Sequence, residues 1–531
     1  MKIKFTFSVS CLLVALLGTG QVLYPDTYFV DYYKTLELQN EGFRKNKMIH
    51  TSSVSLYEHD SLPKWNPWGD QFPVYTIKKN AKSSFHVLTV VTSVSVNSKY
   101  PRGYNDGPVW KGKGANADVN FGVKGHYGIL HYTLAPVVFF AQNADFERVN
   151  RGVNDSLYNY QFSSRIDWIQ RYGPDPITKF SLGQSEVRLV WKGLTLGAST
   201  QNITMGPANV NPIMLSNNGP MFPHIDFGTD TPIETKIGDF EFRSIWGVMK
   251  ESDYFDHNPD NNLRYFQGGG LFWQPSFLPG FSFGMTRIHY RALEDRDFEF
   301  SDLVVSFADF SSNTDTLSSG SVVNDLYDQM TSANFKWTFE EVGFEAYLEL
   351  ARNDFSNLRS IFTEPEHSRA YTIGFVKTMD IGNGRAFKGM YEHTNLGRPR
   401  LKNLRPATPI YYTHNFARQG YTHLGQVLGA GIGPGGSGDI LTISYYYPKG
   451  LLGYGFQRIR FNDDYAFDTF GSTGKRPFDT EYTMTLKAVR FVNDLVFGAD
   501  LTLGKRLNWN YIYKNDVVNV YGKVTIAYLL R

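Results

Sequence analysis

The sequence holds a single cysteine, Cys11, in 531 residues. Everything beyond the first segment is therefore closed to a disulfide scaffold, a cysteine-based metal site and a cysteine nucleophile. Charge of one sign is missing as well. Basic and acidic residues number 53 and 51, and taking away Lys2 and Lys4 (53 − 2) leaves 51 against 51. A neutral chain lacks the electrostatic footprint of a nucleic-acid binder. Long apolar runs are absent beyond Gly20. The longest compact one is Leu134-Ala-Pro-Val-Val-Phe-Phe-Ala141, far short of the roughly 20 residues that a spanning helix requires. The catalytic signatures Gly-x-Ser-x-Gly and His-Glu-x-x-His and a phosphate-binding glycine loop are missing too. Gly268-Gly-Gly270 and Gly431-Ile-Gly-Pro-Gly-Gly436 do not sit between a strand and a helix, so they read as turns or close backbone contacts.

What is present begins with a leader. Lys2 and Lys4 precede a mostly apolar stretch, Phe5 to Leu17, and Gly18-Thr-Gly20 suits cleavage before Gln21. Residues 1–20 read as a signal peptide. Cys11 lies inside the apolar stretch and not after it, which argues against lipidation. Residues 21–80 read as a periplasmic helical and irregular segment. In Asp26 to Leu38 the apolar residues Phe29, Tyr32, Tyr33 and Leu36 follow helical spacing, with Asp26 as N-cap. A turn-rich aromatic stretch, Lys64 to Pro73, follows.

From about Phe85 onward alternation dominates. Aromatics make up 16% of the chain and glycine 49 residues, a mixture that favours strands and turns. Leu495, Phe497, Ala499, Leu501 and Leu503 share one face, opposite Val496, Gly498, Asp500, Thr502 and Gly504. The same holds for Leu441, Ile443, Tyr445 and Tyr447, for Tyr482, Met484, Leu486 and Ala488, and for Val520, Gly522, Val524, Ile526, Tyr528 and Leu530. Such runs have the length of a tilted membrane strand, with a large apolar face opposite a small or polar one. A mean hydropathy of −0.32 fits a barrel, which buries apolar surface on alternate residues only. It equally fits a soluble β-sandwich, whose strands are usually shorter. Hairpins are legible at Ser185–Trp191/Leu194–Gln201, at Phe335–Glu340/Phe344–Ala351, and at Ala117–Lys124/Ile129–Ala141 with a turn over Gly125–Gly128. Long polar connections lie at 253–262, 294–329, 395–418 and 462–480. Short turns alternating with long loops is the asymmetry of an outer-membrane barrel. About fifteen strands can be counted, and even parity points to 16 or 18. The expected fold is all-β, a closed antiparallel transmembrane barrel over residues 81–531.

Candidate chemistry is sparse. Asp256-His-Asn258-Pro-Asp260-Asn-Asn262 places oxygens at alternate positions like a calcium loop, but lacks the sixth-position glycine and has Gln267 where a bidentate glutamate belongs. Glu364-Pro-Glu366-His367 and the cluster Glu294, Asp295, Asp297, Glu299 with Arg291 and Arg296 read as solvated loops. The expectation is no metal, no cofactor and no catalytic set. Carbohydrate sites pair flat aromatic faces with planar hydrogen-bonding groups. On that ground Tyr254, Phe255, Tyr265, Tyr411, Tyr412, His414, Arg418, Tyr421 and His423 are candidate polysaccharide contacts. The alternative for these residues is a place in an interfacial girdle or a plug.

One segment is more specific. Met205-Gly-Pro-Ala-Asn-Val-Asn-Pro-Ile-Met-Leu-Ser-Asn-Asn-Gly-Pro-Met-Phe-Pro-His224 resembles the hallmark of the Wzi capsule-assembly family, through Gly206, Pro207, Ile213, Met214, Leu215, Ser216, Asn217, Asn218, Phe222 and Pro223. Ile166–Gly173, Thr231–Phe240, Gly420–Gly429 with Gly433–Gly436, and Tyr33–Gln39 resemble further blocks of that family in the expected order. Met205 replaces a frequent Trp, Ala208 a Gly and Gly219 an Ala, so any ligand contact by that Trp is lost. The chain ends in Arg531 where proteobacterial barrels usually have an aromatic residue, the expectation for a member from another lineage such as Bacteroidota. The resemblance implies a monomeric barrel of about eighteen strands in outer-membrane lipid, closed by inward-folded loops, that anchors capsular or other surface polysaccharide like a lectin, without catalysis. Gly206, Pro207, Ser216, Asn217, Asn218, Phe222 and Pro223 then read as a structural plug. Two other readings stay open: a solute pore with Lys487, Asp500 and Lys523 facing the lumen, and a barrel enzyme.

Overall fold

The computed structural model describes residues 27–40, 47–51, 65–69, 82–153, 156–307, 314–316, 322–324, 326–353, 363, 366–399, 410–470 and 477–529. The signal peptide read over residues 1–20, the N-cap Asp26 and the pair Glu364-Pro365 lie outside them.

Eighteen strands form one antiparallel sheet. They are β1 (Ser83–Asn97), β2 (Gly114–Tyr127), β3 (Leu130–Leu134 running on as Val137–Ala141), β4 (Ile177–Ser181 running on as Glu186–Trp191), β5 (Leu194–Ser199), β6 (His224–Thr229 running on as Ile233–Thr235), β7 (Gly238–Lys250), β8 (Leu263–Pro275), β9 (Phe281–Ala292), β10 (Asp328–Phe339), β11 (Phe344–Asn353), β12 (Arg369–Asp380), β13 (Ala386–Asn395), β14 (Ser437–Tyr447), β15 (Gly450–Arg460), β16 (Thr480–Val492), β17 (Leu495–Leu507) and β18 (Val517–Tyr528). Each pairs with its sequence neighbours. β18 returns to β1, with Val90 opposite Tyr528 and Asn97 opposite Tyr521, so every ladder is satisfied and no edge is left. Among the described residues no helix is long and apolar enough to cross a membrane; the strands are the elements of that length.

Parity works as read. Leu501, Leu503, Met484, Leu486, Leu441, Ile443, Val524 and Ile526 point outward and are exposed, while Thr502, Thr483, Tyr446 and Thr525 point inward and are buried. The hairpin turn after Trp191 has Lys192 at φ 49° and Gly193 at φ 82°, the left-handed pair that a two-residue loop between twisted strands requires. The turn expected over Gly125–Gly128 is tighter and later. β2 continues to Tyr127, and His126 pairs with His131, their rings stacked 5.2 Å apart. The uninterrupted strand expected over 129–141 is broken at Ala135-Pro136, where proline has no N–H to give the ladder.

All short turns lie at one end of the barrel and all long connections at the other. Of the long ones, 98–113, 200–223 and the described parts of 142–176 and 396–436 turn back into the barrel. From the short-turn end comes helix α1 (Thr27–Gln39). It does not stand apart from the sheet. Phe29, Tyr32, Tyr33 and Leu36, the residues whose spacing marks the helix, pack inside the mouth with Trp68, Tyr446, Phe491 and Val496. The Tyr32 ring stacks on Trp68 at 3.7 Å, and the Trp68 indole N–H donates to the Gly450 carbonyl at 2.8 Å.

Candidate functional site

The inside of the barrel is built around the segment 205–223. Gly206 has φ +123°, and a Cβ there would lie 2.6 Å from Asn334 Oδ1 on the wall, so position and conformation both demand glycine. Two wall carboxylates receive the backbone that follows. Glu392, on β13, accepts from the amides of Asn209 (2.8 Å), Val210 (3.1 Å) and Asn211 (2.7 Å) and from the Tyr347 hydroxyl at 2.7 Å. Glu349, on β11, accepts from the Ile213 amide at 3.0 Å. Irregular backbone buried in a sheet interior needs such acceptors, because each unmet amide is costly. Ile213, Met214, Leu215 and Phe222 then join an apolar core with Phe266, Tyr290 and Ile459.

The loop 410–436 closes over this segment. The Ser216 hydroxyl donates to the Gly429 carbonyl at 2.6 Å, the Asn218 amide group to the Val427 carbonyl at 2.9 Å, and the Asn217 amide group to the Asn105 carbonyl at 2.8 Å. Pro207 lines the cavity described below. Phe222 is fully buried, its ring 4.7 Å from Phe266, and Pro223 carries the chain into β6. Seven positions picked from the sequence thus lie along one lodged segment.

The aromatic candidates divide. Tyr412 and Tyr421 are fully buried, and their hydroxyls donate to the carbonyls of Ile213 and Met214, each at 2.7 Å. Tyr411 is buried beside Tyr412. His423 is buried and its Nδ1 accepts from the Lys250 amide at 2.9 Å; burial, with Arg264 and Lys250 nearby, pushes its pKa down to about 3. Tyr265 faces outward from β8, yet it is covered by a loop, its hydroxyl donating to the Asp302 carbonyl at 2.9 Å. Phe255 is buried. None of these six offers an open ring face. Tyr254 and His414 are half-buried and Arg418 is exposed. His414 and Arg418 share one loop tip with Phe416, and Tyr254 sits elsewhere.

Around Tyr254 the structure collects residues that the sequence did not single out. Its ring meets Tyr158 at 5.4 Å and Tyr172 at 6.4 Å, and Tyr172 meets Trp110 at 4.9 Å. The Arg148 guanidinium lies 5.4 Å from the Tyr158 ring and pairs with Asp145, which also pairs with Arg171 at 2.6 Å. These four rings come from three loops. Asp167 ties two of them together: its carboxylate accepts from the Ser252 amide and hydroxyl, each at 2.7 Å, and from Asn159 at 2.8 Å. Burial pushes its pKa up, against those bonds. Asn143 pins Tyr172 within its own loop, donating to the carbonyls of Tyr172, Gly173 and Asp175, and the neighbouring Ala144 amide donates to the Lys113 carbonyl beside the Trp110 loop at 2.9 Å. The result is an aromatic platform of half-buried rings meeting edge to face, with a guanidinium and carboxylates at its rim, at the long-loop end. The signal available in the sequence was Ile166–Gly173, which contains both Asp167 and Tyr172.

Between the lodged segment and α1 lies a cavity of about 550 Å³. Its charges are largely spent on the parts that enclose it. Asp31 of α1 pairs with Lys388 at 2.7 Å and accepts from the Tyr446 hydroxyl at 2.8 Å. Lys34 donates to the Asn209 side chain at 3.0 Å, joining helix to lodged segment. Lys487, Asp500 and Lys523 do line the cavity. Tyr28 sits on all three: its hydroxyl donates to Asp500 at 2.8 Å, and the two ammonium groups stand 5.1 and 5.4 Å from its ring centre. The loop read as a failed calcium site is internally bonded. Asp256 accepts from the Asn258 amide and the Asn261 side chain, both at 2.9 Å, and among the described residues no group of three or more His, Cys, Asp or Glu could hold a metal ion.

A closed barrel with an apolar outer belt, filled by its own helix and loops and capped by aromatic loops at one end, defines the class: an outer-membrane barrel with an occupied lumen. The chain belongs to the family of capsule assembly protein Wzi, whose model matches residues 90–520. It is similar in fold to Wzi of Escherichia coli, an outer membrane protein involved in group 1 capsule assembly and a carbohydrate-binding β-barrel. That match has a TM-score of 0.55 at 12% identity and covers 83% of this chain and 85% of that one. Alignments with OprD of Pseudomonas aeruginosa (TM-score 0.39, 9% identity, 84% and 94% covered) and OccAB2 of Acinetobacter baumannii (0.37, 13%, 83% and 97%) are weaker. No curated protein sequence matches. The protein resides in the outer membrane, and its short-turn end is the periplasmic one.

Proposed function

We propose that this protein holds capsular or other surface polysaccharide at the cell surface through its extracellular loops, as a lectin-like anchor that performs no chemistry. It acts as a monomer whose outward belt contacts lipid, with residues 21–80 as a helical and irregular segment on the periplasmic side. The observation that carries the reading is the platform of Trp110, Tyr158, Tyr172 and Tyr254 with Arg148 and Asp145 at its edge, set on loops that are locked to the filled lumen. Flat rings bury sugar faces while planar ionic groups bond the hydroxyls. His414 and Arg418 at the neighbouring tip are candidates for a second contact.

The test is a deletion strain complemented with wild type or with Tyr158→Ala/Tyr254→Ala. Cell-bound polysaccharide falls and shed polysaccharide rises in the deletion and in the double variant. Retention of polysaccharide in the deletion strain refutes the anchor; retention in the double variant alone moves the contact away from the platform. The pore reading is decided by planar-bilayer conductance, where the anchor leaves the bilayer closed.

A further inference from the structure

The outer belt of the barrel has a defect. Counting from the periplasmic end of each strand, Leu503 stands eight residues in from Leu495 and Met484 eight from Val492, and both are bare apolar side chains. At the same count Gln267 stands eight residues in from Pro275 and His289 eight from Phe281. They pair across the strands, and both point outward, on the same face as the exposed Leu271 and Met285. With strands tilted by about 40°, that level is roughly 20 Å above the periplasmic turns, inside an apolar band about 25 Å tall. The band continues beyond it on these strands, since Val248 and Leu263, farther from the turns, are exposed and apolar. Polar side chains at that depth are strongly unfavourable in lipid.

They are not in lipid. The 3₁₀ segment Phe300–Phe307 runs over the outside of β7, β8 and β9 and covers them, leaving Gln267 and His289 with 0% exposure. The Ser306 amide donates to Gln267 Oε1 at 2.9 Å and its hydroxyl bonds His289 Nδ1 at 3.0 Å. The outward indole of Trp246 donates to the Leu303 carbonyl at 2.8 Å. Asp302, buried beneath, pairs with Arg291 at 3.0 Å and with Arg296. The other side of the segment is uncovered and mostly apolar: Phe300 is 80% and Phe307 73% exposed, with Phe298 and Val304 beside them, and its exposed polar groups, Ser301 and Glu299, bond each other, Glu299 also pairing with Arg296.

We propose that Phe298–Phe307 is a lipid-facing strap, bonded to a polar seat on the barrel wall, whose Phe300, Val304 and Phe307 side chains enter the acyl chains of the outer leaflet. The strap restores apolar surface where the strands lack it, and its outer face is continuous with the barrel belt. The inference rests on the lipid-contacting reading of that belt. A strap of this kind fixes the height and rotation of the barrel in the outer leaflet, and so the side of the molecule on which the loops stand.

The test uses the full chain with Cys11→Ser and one new cysteine at a time, Phe300→Cys, Phe307→Cys, Leu503→Cys or Phe416→Cys, carrying a nitroxide in phosphatidylcholine liposomes. Heat-modifiable gel migration confirms that each barrel is folded. Power saturation then compares collision with oxygen, which concentrates in acyl chains, and with a water-soluble nickel chelate. Phe416 is an exposed residue of an extracellular loop and Leu503 lies on the belt. Oxygen-to-nickel ratios at positions 300 and 307 that match Leu503, and exceed Phe416 severalfold, are the expected result. Ratios matching Phe416, or exclusion of both colliders as at a contact with a second copy, overturn the strap while leaving the barrel intact. A water-exposed Leu503 label overturns the belt reading itself.

Discussion

Glu392→Ala removes the acceptor of three consecutive amides in the lodged segment. Their bonds, at 2.8, 3.1 and 2.7 Å, end on one carboxylate, and the Tyr347 hydroxyl shares it. A buried donor left without a partner costs about 1–3 kcal/mol. Water reaching the vacated space recovers part of that, so about 4 kcal/mol is the expected loss, roughly a thousandfold in the opening equilibrium of the segment. The loss is local, because the β13 ladder bonds are backbone bonds and survive the substitution. Amide hydrogen exchange of the detergent-solubilised barrel reads it directly. Peptides covering 205–223 exchange about a thousandfold faster in the alanine variant, while peptides from β16 to β18 keep their rates. Glu392→Gln retains one acceptor oxygen and falls between. If the 205–223 peptides of a folded Glu392→Ala barrel exchange at the wild-type rate, the wall carboxylate does not hold the segment, and the account of how the lumen is filled fails with it.

Gly206→Ala meets both a left-handed backbone and the Asn334 side chain 2.6 Å from the new Cβ; it loosens the same peptides by about 2 kcal/mol, and Asn334→Ala in the same chain restores part of the protection. Glu251, just beyond β7, accepts from Gln419 at 2.6 Å, and burial, with Asp256 and Asp167 adding to it, pushes its pKa up to about 8. The folded loop binds that proton more tightly than the unfolded one. Its contribution is therefore complete at acid pH and is lost as pH rises through about 8. Proteolytic nicking of 251–262 should increase between about pH 6 and about pH 9 and become pH-independent in Glu251→Gln; a wild-type loop equally resistant across that range contradicts the assignment. Asp167→Ala unties Ser252 and with it the platform, so cell-bound polysaccharide falls without any change at a ring, and a variant that binds normally removes Asp167 from the positioning role.

What could be read in the sequence was what lipid and closure impose. Alternation at Leu495–Leu503 or Val520–Tyr528 has one cause, and the structure keeps it. The lodged segment was legible as a unit through its resemblance to the family hallmark, but its wall acceptors were not: Glu349 and Glu392 are single acids at inward parity, indistinguishable from lumen-lining charge. Tyr412 and Tyr421 stood out as aromatics in a polar loop, and the direction in which a loop folds is invisible in one chain; turned inward, the same rings become core and their hydroxyls bond carbonyls. Gln267 and His289 break the outward alternation of β8 and β9. That break was the unread signal of the strap, since an outward polar residue at mid-belt must be covered by something.

The division of labour inside the barrel bears on how a polymer is held. The helix and the lodged segment meet around a cavity in which charged groups pair with one another, as Asp31 does with Lys388 and Asp106 with Lys111. On the proposed reading grip comes from the platform, which is small: four rings and a few ionic groups accommodate a short stretch of sugar, and contacts of that size are weak singly. A long polymer spanning many barrels in the same membrane turns each further contact into an intramolecular one, raising overall affinity by about 10²–10⁴ without new chemistry. Shedding assays with soluble competitors distinguish this from a single tight site. Long polymer should displace cell-bound material at a molar concentration at least about a hundredfold below that of an oligosaccharide of a few units. Equal molar potency of the two would mean that one barrel grips one short segment tightly, and the shallow platform around Tyr254 would then be too small to be the place where it does so.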